Sequence, residues 1–219
     1  MALVVLLGAL NWLVQAVRKP SEVLFPFDGF TRSPKETWEV YGDLFRGHAT
    51  AAIPAELLAA IAQSESAGNP VARTYWRWRW DWNPIEVYRP ASSAVGLYQI
   101  TDGRFAEAKR YCIHEHKALE EGCWFNRFYN RLVPSHAIEM TAAFLDRSVA
   151  SIAPPGASLR QKQDLAAVVH LCGAGAGRVF ARRGFRPAPG QRCGDHPLAA
   201  YLAQVNATKR HFASLAAGA

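Results

Sequence analysis

The chain has 219 residues, enough for one domain with a short appendage. Half of the residues are hydrophobic and a fifth are charged, which excludes a disordered or collagen-like chain. A net charge of +7, scattered along the chain, suits an anionic polymer such as nucleic acid, lipid head groups or a cell wall, and does not choose among them.

Ala2 to Val17 carry no charge, and Asn11 and Gln15 are their only polar side chains. This run of 16 residues is short for a bilayer span, where about 20 are usual. Its length fits the core of an export signal, and Val14-Gln15-Ala16 loosely resembles a small-residue cleavage site. Arg18 and Lys19 follow the apolar run, opposite to the usual charge bias. Residues 1–19 therefore read as a signal peptide or membrane anchor, with a buried helix as the alternative. Residues 20–47, rich in Pro, Phe and acidic residues, read as a lead-in packed on the surface of a domain covering 48–219.

Helix signals dominate that domain. Pro54 and Glu56 open a first helix, and Ile53, Leu57, Leu58 and Ile61 form its apolar stripe until Gly68-Asn69-Pro70 stops it. Thr101 caps a second helix expected to run to about Leu119. Ser135 opens a third, in which Ile138, Ala142, Leu145, Val149 and Ile152 recur at helical spacing. Ser158-Leu-Arg-Gln161 is a capping box for a fourth helix to about Leu171, and Asp195 with Pro197 opens a last one through Tyr201. Strands are expected only as a short hairpin between residues 71 and 98. The fold class is mainly α.

The four cysteines fall into two local pairs, Cys112 with Cys123 and Cys172 with Cys193. Sequence does not fix the pairing, but two short disulfide loops are the preferred reading. Inert thiols and a metal site at Cys112-Ile-His114-Glu-His116 with Cys123 are the alternatives, and the spacing matches no common zinc module. Disulfides and an apolar N-terminus together favour an oxidising compartment.

Glu65 is out of place. It closes the first helix, where the helix dipole disfavours a negative charge, and it stands four residues beyond Ile61, next to the apolar face. Both effects raise a carboxyl pKa, which is what a general acid for glycosidic cleavage requires. The alternative is a solvated Glu at a frayed helix end. Asp81, Glu86 and Asp102 are the nearest candidates for a second carboxylate, and Asp102 fits better as a first-turn residue of its helix. His114 and His116 are assigned no catalysis.

Gln63-Ser64-Glu65-Ser66-Ala67-Gly68-Asn69-Pro70, followed by Gly96-Leu97-Tyr98-Gln99-Ile100, resembles the catalytic signature of lytic transglycosylases of the soluble-lytic (SLT) type, relatives of goose-type lysozyme. The family pattern is an E-S-x-x-N-P box and then a G-L-M-Q-I segment. A third element, N-A-G-x-G-R-V preceded by a tyrosine, is echoed by Cys172-Gly173-Ala174-Gly175-Ala176-Gly177-Arg178-Val179. The resemblance implies a lysozyme-like helical domain that cleaves the MurNAc-to-GlcNAc bond of peptidoglycan without metal or organic cofactor, to which this chain adds a small hairpin or loop insertion beside the cleft. It makes Glu65 the acid and then the base in 1,6-anhydro ring closure. It places Gly96 and Gln99 on the cleft floor and leaves Ser66 and Asn69 to shape the box.

The chain departs from the pattern in three places. Glu65 and Gln99 are 34 residues apart, and the insert holds Thr74-Tyr75-Trp76-Arg77-Trp78-Arg79-Trp80-Asp81-Trp82. Tyr75 and Trp76 are candidates for sugar stacking, against a hairpin whose four Trp pack on the domain. Tyr98 replaces the family methionine and keeps the option of sugar contact. The tyrosine that stands beside the acid in relatives aligns with Cys172, so either the site is weakened or another ring, such as Tyr75 or Tyr111, substitutes.

The Trp-rich insert and the Cys-containing late motif look most like conjugation-associated members. That likeness implies an envelope-spanning conjugation or secretion complex as partner, served by local opening of the wall. Peptidoglycan glycan strands are the expected substrate and the periplasm the expected location, with membrane contact only through the N-terminal segment. A nucleic-acid partner is not expected. The competing functions are a lysozyme-type hydrolase and a non-catalytic glycan-binding scaffold.

Overall fold

A computed structural model describes residues 1–18 and 30–218. Residues 20–29 of the expected lead-in, Lys19 and the last residue lie outside the described residues. The helices are α1 (Ala2–Arg18), α2 (Pro34–His48), α3 (Ala55–Ser66), α4 (Asp102–Ala108), α5 (Pro134–Ile152), α6 (Leu159–Arg182) and α7 (Leu198–Ala217). Among the described residues three antiparallel two-stranded hairpins interrupt them: β1 (Trp76–Trp78) with β2 (Tyr88–Pro90), β3 (Cys112–His114) with β4 (Lys117–Leu119), and β5 (Arg192–Cys193) with β6 (His196–Pro197). The mainly α fold class is observed.

Helix α3 is the axis of the molecule. Leu57, Leu58 and Ile61 are buried as its stripe requires, and so are Ala59, Ala60 and Ala62 on the other faces. A helix apolar all round belongs inside a protein. It is wrapped by α2 and α7, while α5 packs on α6. The small alanines let those neighbours approach closely.

The expected surface lead-in is corrected by α2. Ser33 and Glu36 form a reciprocal capping box, and Trp38, Tyr41 and Phe45 recur at helical spacing and enter the core, with Phe45 fully buried. The second expected helix also stops early, at Ala108. Glu115 and His116 take left-handed backbone angles that turn β3 into β4, and the Ile113 amide donates to Glu139. The fourth helix opens at its predicted capping box but resumes beyond Leu171, after a break at Gly173 (φ 83°, ψ 168°), and continues to Arg182. It is long and apolar enough to cross a membrane, yet Leu165, Ala166, Ala167, Val168 and Val169 lie in the core, as in a soluble domain's central helix.

Helix α1 does not bury its apolar side chains. Leu3, Val4, Val5, Leu6, Leu10, Trp12, Leu13 and Val17 are exposed, whereas Asn11 and Gln15 are buried. Asn11 donates to the Tyr88 carbonyl (2.7 Å) and Gln15 to that of Ile85 (2.8 Å), and Arg18 pairs with Glu86. The helix is thus held to the hairpin insert by its polar face. The expected hairpin between residues 71 and 98 is β1–β2. Its tryptophans do not all pack on the domain: Trp76 and Trp78 meet the Tyr88 ring, while Trp80 and Trp82 stand fully in solvent.

Both cysteine pairs are disulfides, Cys112–Cys123 and Cys172–Cys193. The second joins the residue before the Gly173 break to the hairpin that leads into α7.

Candidate active site

Glu65 sits in the last turn of α3, which ends at Ala67 in the left-handed conformation. Ser66 ties this end to the following loop: its hydroxyl donates to the Leu97 carbonyl (2.8 Å). Asn69 is buried, and its side chain accepts from the Val71 amide, closing a turn. Ser66 and Asn69 therefore shape the box.

A groove of about 420 Å³ opens over Glu65, and its walls include Arg73, Tyr75, Gln99, Arg104, His170 and Tyr201. It is continuous, through Thr74, Tyr75, Leu171 and His196, with a wider stretch bounded by Arg77, Arg192 and the Cys172–Cys193 bridge. The Glu65 side chain is 16% exposed, so the carboxyl group borders the groove without standing in solvent. Burial raises its pKa, and a hydrogen bond from Tyr201, with the charges of His196 and Arg104, opposes that rise only in part. The expected position and electrostatics of Glu65 are both present.

Tyr201 is the ring beside the acid. Its hydroxyl donates to Glu65 Oε1 at 2.8 Å, and burial together with the Glu65 charge pushes its own pKa well up, so it stays a donor. Neither expected substitute takes this place. Tyr75 lies at the groove rim, largely exposed, and Tyr111 packs against the core under Arg110 and Arg147. His170 is the second neighbour that sequence reasoning missed, with Nε2 3.5 Å from Glu65 Oε1. Full burial and the adjacent Arg104 hold His170 well below the usual imidazole range, so it is neutral and this contact is not an ion pair.

The residues expected to touch sugar divide. Gln99 lines the groove in a left-handed conformation (φ 48°), and its amide nitrogen donates to the Ala72 and Gly96 carbonyls. Tyr75 also lines it, whereas Trp76 packs on Tyr88 and is not part of the groove wall. Tyr98 is corrected: it is fully buried, its hydroxyl donates to the Leu58 carbonyl (3.1 Å) and its ring meets that of His170 edge-on. Gly96 is likewise buried, not on the cleft floor. At φ 80° it turns the chain where a Cβ would stand 2.4 Å from the Arg131 carbonyl oxygen and 3.2 Å from that of Pro70. Gly96→Ala is expected to cost about 2 kcal/mol through the strained φ and the clash, read as a lower midpoint in urea denaturation.

The other carboxylates are committed elsewhere. Glu86 pairs with Arg18 and Arg89, Asp102 with Arg131, and Asp81 accepts from the Asn83 amide in the exposed insert. Among the described residues Glu65 is the only acidic side chain that bounds the groove at its own position, and Asp195 bounds the wider stretch. His114 and His116 are remote from it, and His116 contacts the Ala49 carbonyl.

The model of one known family, the transglycosylase SLT domain, matches residues 45–167, more than half of the chain. No curated protein and no solved structure matches the chain. The matched segment contains α3 with the buried acid, the loop that carries Gln99, and helices α4 and α5. The chain therefore belongs to the SLT transglycosylase family, whose activity is lytic cleavage of peptidoglycan.

Proposed function

We propose that the protein is an exported lytic transglycosylase that cuts the MurNAc-GlcNAc bond and leaves a 1,6-anhydro-MurNAc end, with Glu65 as acid and then base. The observation that carries this reading is a carboxyl group whose pKa burial raises at the wall of a groove, with no second carboxylate among the described residues that bound the groove at its position. Protonated Glu65 gives its proton to the departing glycosidic oxygen as the C1–O bond breaks. The substrate's own N-acetyl oxygen supports the positive charge at C1, so the paired-carboxylate scheme is not needed. The ionised Glu65 then takes the proton of the MurNAc C6 hydroxyl while that oxygen bonds to C1. The acid is regenerated and no water is consumed. Arg73, Arg77 and Arg192 along the walls suit an anionic glycan strand.

The test is digestion of purified sacculi, with product masses read by mass spectrometry. Anhydro ends, each one water lighter than a reducing end, are expected. Reducing ends alone would make the protein a lysozyme-type hydrolase, and no products would make it a glycan-binding scaffold.

The same reading places the protein in the periplasm. Two disulfides support an oxidising compartment, and the apolar surface of α1 is compatible with export or with an inner-membrane anchor. Service to an envelope-spanning conjugation or secretion machine completes the proposal. The exposed Trp78, Trp80 and Trp82 are aromatic surface that the groove does not use and that such a partner could cover.

A further inference from the structure

We propose that Arg104 and His170 are positioning residues that decide which oxygen of Glu65 carries the catalytic proton. This inference rests on the reading of Glu65 as the acid.

Arg104, on α4, reaches across to α6 just upstream of the Gly173 break. Its guanidinium donates to the His170 carbonyl (2.5 Å) and the Val169 carbonyl (3.3 Å), and it lies over the Phe144 ring. The break displaces the amides that would continue the helical ladder, and Arg104 takes up these carbonyls in their place. The same Nη1 stands 3.4 Å from His170 Nδ1.

A guanidinium has no lone pair to offer, so the imidazole nitrogen facing it must be the acceptor. A neutral ring with its lone pair on Nδ1 carries its hydrogen on Nε2. That nitrogen is the one 3.5 Å from Glu65 Oε1. The Arg104 contact thus selects the tautomer that presents an N–H to the acid.

Tyr201 donates to the same oxygen, so both described side-chain contacts of the carboxyl group end on Oε1. An oxygen that accepts the Tyr201 hydroxyl and also faces Nε2–H at 3.5 Å is the less favourable place for the acidic hydrogen, and the proton settles on Oε2. Oε2 is then the atom that protonates the glycosidic oxygen. After transfer the carboxylate draws both donors closer on Oε1, a tightening common in catalytic contacts. The Oε2 lone pair is left to receive the C6 hydroxyl proton. His170 itself never titrates in the cycle: it is enclosed, 3% exposed, between the Tyr98 ring, Arg104 and Glu65.

The experiment compares His170→Gln with His170→Asn. A glutamine amide reaches the place of Nε2–H, and an asparagine amide does not. We expect His170→Gln to keep kcat within about threefold and His170→Asn to lose about tenfold to a hundredfold in kcat with KM unchanged. The pH–rate profile gives a second readout, with Arg104, His196, Tyr201 and Tyr98 as the other ionisable groups in the surroundings. Losing a donor to the carboxylate raises the Glu65 pKa, so the alkaline limb of the His170→Asn profile should move to higher pH and that of His170→Gln should not. Equal profiles for the two variants overturn the proposal.

Imidazole 15N chemical shifts of the unmodified protein decide the tautomer whatever the variants do. A proton on Nδ1 overturns the proposal. If Glu65→Gln stays active, the assignment of the acid fails. If Glu65→Gln is dead while His170→Asn matches the parent, only this inference fails.

Discussion

Glu65→Gln is expected to lower the release of anhydro-muropeptides by about a thousandfold or more, because the amide is nearly isosteric and cannot give up a proton to a leaving alkoxide. The same substitution should stabilise the fold, and the sign depends on pH. Burial raises the Glu65 pKa in the folded state, so the folded protein holds that proton more tightly than the unfolded chain does. At a pH below the unfolded value, about 4.3, both states are protonated and the carboxyl group costs nothing. As pH rises through the unfolded and then the raised folded value, the unfolded state ionises first and the wild type loses stability. The glutamine variant has no such loss. Its melting temperature should exceed that of the wild type by more near about pH 8 than near about pH 4. A loss of activity with no pH-dependent gain in stability would mean that Glu65 is not held neutral in the folded protein.

Removing the Cys172–Cys193 bridge is expected to have the next largest effect. It closes a loop with a sequence separation of 21 residues, and loop-closure entropy alone makes it worth about 3 kcal/mol. Its position adds a second consequence. One end adjoins the Gly173 break, two residues from His170, and the other adjoins the hairpin that holds His196 and opens into α7 with Tyr201. A Cys172→Ala/Cys193→Ala variant should therefore lose activity at temperatures where it is still folded. The paired variant at Cys112 and Cys123 should lose only stability, since neither of those residues bounds the groove. Urea denaturation and muropeptide release, measured on both double variants, check this. Equal residual activity in the two would remove any link between the Cys172–Cys193 bridge and the site.

How much of this was legible in the sequence depended on the range of the interactions concerned. Helix α5 and the start of α6 follow from periodicity and from a capping box, signals that lie within a few residues of one another. Helix α2 carried the same kinds of signal, Ser33 with Glu36 and the spacing of Trp38, Tyr41 and Phe45, but a composition rich in Pro and Phe drew attention to the surface instead. The β5–β6 hairpin was announced by Gly194-Asp195, a pair suited to a tight turn, and went unread.

Within the site, Glu65 and Gln99 were readable because a motif names them. Tyr98 was misjudged because its place in the motif says nothing about which way the side chain faces, and the fold encloses it against Leu58 and His170. His170 and Tyr201 belong to no motif. Both lie beyond residue 167, where the family match ends. Each reaches Glu65 only through tertiary packing, α7 against α3 and α6 against α5 and α7. The one available hint was a hydroxyl on the apolar face of the last helix, since a buried tyrosine has to find an acceptor.

The bond from Tyr201 to Glu65 joins positions 136 residues apart. The site is therefore assembled only once α7 has docked on α3, and a cut between the two that let α7 leave would take the Tyr201 hydroxyl away from the acid.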